Sequence, residues 1–582
     1  MDKRFFLALI LTAIVIVATP LLFPGAGRGR RPAAVDSLRV ASRADSAAPL
    51  TGATGATAAP AGVNSSNAVP TRAPGAAGET TTVHAVRSTY RFSSVDGAPT
   101  MVVLDSYASR QPRGAERQVE LIGPGGALVR YRLALGADTV ALSDAGLQRD
   151  PAACATSPTS SAAPGAPAPL CYRGVAAGHA VRLAYQFVPD SFVVRTRAEV
   201  DGAPAGSALL VQLPRTLASN ERDTLDDINH LAVSFRPARG GDVESLGFSK
   251  LDSAEARTQA GPLSWIATRN KYFLVAFRAL PAQPFAALGL HGGPRREKSV
   301  RELTAVGVLP LATHGATGTA AFDIYAGPQD FRRLQRLGAD LDQVNPYGGW
   351  LRTVVQPFTS IVMGALLWMK QTTQLNYGWV LILFGILIRV AMWPLQQGAM
   401  RTSMKMQRLQ PELQALQKKH GDDPKRQQEA IMKVYKDHGM SPLSPLMGCL
   451  PMLLPMPILF ALYQVFQNTI EFRGVPFLWL PDISLRDPYF ITPLFMGVSM
   501  FVMSWIGLKG SPPNPQAKMM SYMMPVVLTV VFLNFASGLN LYYAVQNLAA
   551  IPQQWLLARE RAKSPPAIAS ASGPAPAVKR RT

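Results

Sequence analysis

The last apolar stretch of the chain, Met519 to Trp555, constrains the fold more than any other segment. As a single helix its 37 residues would reach about 55 Å, against ~30 Å of bilayer hydrocarbon. Phe535-Ala536-Ser537-Gly538 interrupts the run near its middle. Beyond Trp555, Arg559, Arg561, Lys563, Lys579, Arg580 and Arg581 face only Glu560, a composition that belongs on the cytoplasmic side. Length and tail charge together require a hairpin of two short spans, 519–535 and 538–555.

The same reasoning orders the segments upstream. Apolar spans are expected at 377–395, 446–467 and 489–508. Between the first two, residues 398–440 carry nine Lys/Arg against five acids. Met406, Leu409, Leu413 and Leu416 keep helical spacing there, and Gly421-Asp422-Asp423-Pro424 makes a turn. This reads as a basic helical hairpin in the cytoplasm. Ahead of the spans, Leu351, Val354, Val355, Phe358, Ile361, Val362 and Ala365 repeat at helical spacing, with Arg352, Gln356, Thr359 and Ser360 opposite. The pattern predicts an amphipathic interfacial helix over 349–370.

At the other end, Phe5 to Phe23 holds 19 uncharged residues after Lys3-Arg4. No A-x-A site closes the run, so an uncleaved anchor (1–24) is favoured over a cleaved signal peptide. Residues 25–80 are Ala/Gly/Pro/Ser/Thr-rich and read as a disordered linker. In the domain at 81–342, short alternating runs separated by Gly/Pro turns extend from about 81 to 327, and a short helical stretch, Phe331 to Leu341, follows. Val181, Leu183, Tyr185 and Phe187 alternate with Arg182, Ala184 and Gln186, and similar runs fall at 100–105, 117–134, 192–200, 208–213, 271–279 and 319–325. Many short strands without helical periodicity predict an antiparallel all-β sandwich. The expected fold is therefore an α-helical integral membrane protein of six spans, five of them in a core at 343–557, with an exported β-sandwich and a basic tail at 558–582. Both termini are expected in the cytoplasm. Composition agrees: only 16% of residues are charged, yet the formal net charge is +21. A nucleic-acid binder would concentrate such charge on a charge-rich surface.

Arg389 is the sharpest chemical signal. It lies in Ile386-Leu387-Ile388-Arg389-Val390-Ala391-Met392-Trp393-Pro394, inside a span. A cation near mid-bilayer costs roughly 2.5–3.5 kcal/mol on insertion scales. It must face water, a polar cavity or a counter-charge, yet no Asp or Glu occurs inside any expected span; Glu471, Asp482 and Asp487 flank them. Snorkelling to the interface is the bland alternative. The functional reading is an unpaired cation in a wet groove that Gln464, Gln467, Ser504, Asn534, Asn540, Tyr543, Gln546 and Asn547 could line. No enzyme signature stands beside it: the histidines lack metal-ligand spacing, and there is no nucleophile elbow, phosphate loop or CxxC. No catalytic residue, metal or cofactor is expected. Trp265 reads as core. Cys154 and Cys171, on the exported side, are free to pair, and the sequence leaves their pairing open.

The membrane half resembles the YidC family of membrane protein insertases. The matching stretches are Asn345-Pro346-Tyr347-Gly348-Gly349-Trp350, the Arg389 segment through Pro394-Leu395, and Leu409-Gln410-Pro411-Glu412-Leu413. Then follow Gly448-Cys449-Leu450-Pro451, Met456-Pro457-Ile458, Asp487-Pro488-Tyr489, and Ser537-Gly538-Leu539 with Leu541-Tyr542-Tyr543. The anchor and large β domain resemble the family's Gram-negative type. The resemblance implies an ATP-independent insertase and chaperone in the inner membrane, with Arg389 as the groove arginine and Tyr543 as the aromatic of the last span. Gln464, Ser504 and Asn547 complete the expected substrate-binding groove. Implied partners are nascent membrane proteins and the lipid bilayer, with the Sec translocon, ribosome and signal-recognition targeting factors meeting the hairpin and tail. Ser444-Pro445 and Pro455 depart from the family pattern, as does Ser504, which stands at a family glutamine. Two other classes compete: an anion or small-solute transporter using Arg389, and a carbohydrate-binding or enzymatic β module on a membrane anchor.

Overall fold

The computed structural model describes residues 79–111, 117–155, 165–296, 299–300, 302–345, 352–419, 423–437, 456–509 and 515–563. The expected anchor, most of the linker, the first part of the 446–467 span and the end of the tail lie outside them.

Alternation builds the β domain as the sequence implies. In His179–Phe187 the side chains of Val181, Leu183, Tyr185 and Phe187 are buried and their neighbours are half-exposed. A 15-stranded antiparallel sheet runs through Ala208–Gln212, Leu303–Pro310, Phe285–Gly292, Ala256–Arg269, Phe273–Ala279, Thr317–Pro328, Val193–Asp201 and His179–Phe187. It curls on itself, so that Tyr131 on Arg130–Leu135 packs edge-on against Phe322 on Thr317–Pro328, ring centres 6.2 Å apart. A second, four-stranded sheet lays Tyr90 and Phe92 over Tyr185 and Phe187. One continuous apolar core results, a sandwich.

The sequence pattern misses the 14-residue strand Ala256–Arg269, whose last residues are buried on both faces and therefore do not alternate. Trp265, on that strand, is wholly buried, and its indole N–H donates to the Ala339 carbonyl at 2.8 Å. The predicted run at 117–134 is two strands, Gln118–Glu120 and Arg130–Leu135, split by the turn around Gly123-Pro124-Gly125-Gly126.

Cys154 and Cys171 form a disulfide, Cα atoms 5.6 Å apart across 17 residues of chain. Closing a loop of this length removes about 3 kcal/mol of unfolded-state entropy. Replacing both cysteines by serine should lower the β domain's stability by about that amount. Denaturant unfolding checks this, and an unshifted midpoint would refute it.

Among the described residues, the second module holds seven helices: α1 (Arg352–Thr373), α2 (Tyr377–Lys419), α3 (Pro424–Asp437), α4 (Met456–Asn468), α5 (Ile491–Leu508), α6 (Pro515–Phe532) and α7 (Ser537–Lys563). Two segments among the described residues, Tyr377–Gly398 and Ile491–Leu508, are long and apolar enough to cross a bilayer.

Three features differ from the sequence reading. The span at 377–395 and the first arm of the basic hairpin are one 43-residue helix, because nothing between Leu395 and Met400 satisfies the backbone better than continued helix. In α1 the expected apolar set divides: Val355 and Val362 point inward, whereas Phe358 and Ile361 are exposed. Thr359, expected on the polar face, is buried and donates to the Val355 carbonyl at 2.9 Å. Helix α1 therefore carries apolar side chains on both its buried and its exposed faces. Finally, α7 runs to Lys563, past the expected end at 555 into basic sequence.

The α6–α7 break is stitched to the loop ahead of α5. Ser537 N–H donates to Leu485 O at 2.7 Å and Gly538 N–H to Ile483 O at 2.9 Å. A side chain at Gly538 would meet the Phe466 ring at 2.4 Å, so glycine permits the approach. Asp487 caps α5. Burial raises its pKa, but the N–H groups of Thr492 and Tyr489 and the Trp479 indole outweigh that and hold it below the ordinary carboxylate range.

The β domain is seated on this same loop. Arg473 pairs with Glu221 at 2.8 Å, both nearly sealed from solvent. Its guanidinium also donates to the Ala108 carbonyl at 2.9 Å and lies 5.4 Å from the Phe273 ring centre. Tyr272 O–H reaches Ser484 Oγ at 3.3 Å. Glu471, two residues from Arg473, has a sealed Oε2 without a hydrogen-bond partner. Burial, then the charge of Asp330, pushes its pKa up to about 8, against the opposing pull of its own N–H, the Phe331 N–H and Arg332. The folded chain thus holds a proton that the unfolded chain releases above its ordinary value of 4.5. Stability from this group is greatest below that value and falls as pH rises toward 8. Glu471→Gln should flatten this dependence and raise the unfolding midpoint at pH 8; identical pH profiles would refute the assignment.

Candidate functional site

Arg389 lies on the face of α2 that meets α7, and only 9% of it is exposed. The two helices approach closely at Gly385, where a side chain would meet Val545 at 3.1 Å. There the Gln546 amide donates to the Gly385 carbonyl at 2.8 Å and to the Tyr542 hydroxyl at 3.1 Å. One turn beyond Gly385, Arg389 Nη2 donates to Gln553 Oε1 at 2.6 Å. Gln553 is 1% exposed, and its own amide N–H reaches back to the Trp393 carbonyl at 3.4 Å. Arg389 therefore has a hydrogen-bond partner from α7 that the sequence reading did not name, and the partner is neutral. The doublet Gln553-Gln554 inside an apolar stretch was the available signal, but proximity across 164 residues was not.

Among the described residues, polar atoms remain unbonded along these two helices. Arg389 Nε and Gln396 Oε1 are buried without a hydrogen-bond partner, as is Asn540 Oδ1 nearer the start of α7. Sealed orphan donors and acceptors are uncommon in native proteins and mark places where water or a ligand completes the set.

The other expected groove residues are distributed. Asn547 is buried and donates to Ser499 Oγ at 3.1 Å, tying α7 to α5. Tyr543 is half-buried, its ring centre 5.4 Å from that of Phe532 on α6. Ser504 is half-buried on α5. Gln464 on α4 accepts from the Asn468 amide through its side chain at 3.3 Å. Among the described residues, no hydrogen bond joins Arg389 to any of these four. Gln464 is occupied within its own helix and Asn547 between helices; Ser504 and Tyr543 keep partial exposure. Of the other polar span residues, Asn540 donates to the Phe532 carbonyl at 3.2 Å, so it holds the α6–α7 hairpin. Outside the seam the helices present apolar side chains to the surroundings, Leu387, Val390, Val498, Phe501 and Val530 among them. No group of three or more His, Cys, Asp or Glu able to hold a metal occurs among the described residues.

An apolar-surfaced helical module with a buried, charge-bearing seam, carrying an antiparallel β-sandwich, defines a membrane protein with a large extramembrane domain. Two family descriptions match its halves: "YidC periplasmic domain" over residues 82–361 and "60Kd inner membrane protein" over 368–564. The membrane protein insertase YidC of an Anaeromyxobacter species is 32% identical over 404 residues, 69% of this chain and 70% of that protein. That of Chlorobium phaeovibrioides is 32% identical over 397 residues, 65% of this chain and 66% of its own length. A crystal structure described as an active YidC insertase with the first transmembrane domain resolved covers 82% of this chain and 93% of its own, at 18% identity and a TM-score of 0.31. The chain belongs to the YidC family of membrane protein insertases.

Proposed function

We propose that this protein inserts nascent membrane proteins into the inner membrane and assists their folding, using the seam around Arg389 as a polar groove. In this reading the chain crosses the membrane six times with both termini cytoplasmic. Residues 81–342 lie in the periplasm and 343–557 form the insertase core. The observation that carries the reading is a buried guanidinium whose Nε is unbonded and whose hydrogen-bond partner, among the described residues, is neutral. Moving a polar segment through hydrocarbon strands its backbone groups at several kcal/mol each. A groove that holds water and one fixed positive charge lowers that barrier for an acidic or polar client segment while its apolar span partitions into lipid. Helix α2 passes without a break from the Arg389 seam into the basic region, so a client, ribosome or targeting factor at the cytoplasmic end would contact the same rigid element that carries the arginine. The Sec translocon is a further partner of this reading.

Site-specific photocrosslinking to stalled nascent chains tests it. A crosslinker at half-buried Ser504 should capture the chain as its first span emerges. One at exposed Leu280 on the β domain should not. Capture at Leu280 alone would sink the proposal.

A further inference from the structure

We infer that Gln553 is a positioning residue for Arg389 and sets the groove's preference for acidic clients by holding the guanidinium without neutralising it; this rests on the groove reading above. The Arg389–Gln553 hydrogen bond is 2.6 Å long and closed to solvent. A hydrogen bond in which the donor is charged is stronger than a neutral one and fixes the side chain's direction. The Gln553 amide is itself oriented, because its N–H side faces the Trp393 carbonyl, leaving Oε1 as the end that accepts. Trp393 stands one turn after Arg389 on the same helix, so Gln553 brackets the arginine from a second helix.

The chemistry of the acceptor matters more than its presence. A carboxylate at this point would satisfy the guanidinium equally well and cancel its charge in a low-dielectric seam. An amide supplies the geometry and leaves the full positive charge for a third party. Arg389 Nε, sealed and unbonded, is the free donor that a client carboxylate would meet; Gln396 Oε1, also sealed and unbonded, stands about two turns further along the same helix. With Gln553 in place, the seam is a preorganised site for one acidic side chain on the translocating segment.

The test uses the full chain in proteoliposomes. Two single-span clients differ only in an outer segment bearing Asp/Glu or the matching Asn/Gln, and the readout is the ratio of their insertion rates. Gln553→Glu should lower the acidic-to-neutral ratio at least about tenfold, the equivalent of one partly screened charge pair. Gln553→Met, which keeps the side chain's shape and introduces no buried charge, should lower it about threefold through lost positioning. A merely structural glutamine would slow both clients alike and leave the ratio unchanged in both variants, which overturns the inference. Arg389→Gln in parallel separates the two claims. If it keeps the acidic preference, the groove reading itself fails. If it loses that preference while the Gln553 variants retain it, only the role of Gln553 fails.

Discussion

Arg389→Glu should reduce insertion of single-span clients with acidic outer segments by on the order of 100-fold or more, while clients with neutral segments lose far less. At about 5 Å and an effective dielectric of ~20, a unit charge pair is worth roughly 3 kcal/mol, and reversal turns that attraction into repulsion. Gln553 would still offer a glutamate its amide N–H, so the variant has a way to stay folded once it gives up the Trp393 contact. Arg389→Lys should retain part of the activity, since a point charge survives while the planar fork held by Gln553 is lost. Complementation of a depletion strain with each client class gives the measurement. Wild-type insertion of the acidic client by Arg389→Glu would remove the electrostatic core of the proposed mechanism.

Arg473→Ala should destabilise the contact between the β domain and the helical module by about 3–5 kcal/mol, because it strands a buried carboxylate. Burial already raises the pKa of Glu221, and Arg473 is the charge opposing that rise. Without the guanidinium the carboxyl must either ionise unpaired or take up a proton, and the Ala108 carbonyl loses its donor as well. The paired change Arg473→Met with Glu221→Leu should recover most of the loss, since an apolar pair avoids desolvation altogether. Thermal unfolding in detergent, together with protease cleavage at the junction, reads both variants. If the single and double variants are equally stable, the pair is not what seats the β domain.

Much of this architecture is legible one residue at a time. The period-two pattern at 179–187 predicts a half-buried strand because alternation is local, and Trp265 is core because an indole in an apolar run has nowhere else to go. The break at Phe535-Ala536-Ser537-Gly538 is legible from the length of the run, the charge of the tail and the small residues at its middle. What escapes is whatever depends on a second segment. The strand Ala256–Arg269 lacks alternation because other chain covers both its faces. The continuity of α2 through Pro394 also escapes, since proline and glycine weaken a helix without ending it when the neighbours still favour it.

The division is sharpest at the charges. By itself the sequence places one arginine inside an apolar run and makes a polar environment there obligatory, because the energy of a cation in hydrocarbon depends only on the residue and its depth. It likewise marks Cys154 and Cys171 as able to pair. Tertiary structure alone decides that the arginine's partner is Gln553, that the cysteines are joined, and that Arg473 meets Glu221 across 252 residues. Hydrogen bonds and ion pairs act over a few ångströms, and which residues come that close is settled by how helices and sheets pack, not by their order along the chain.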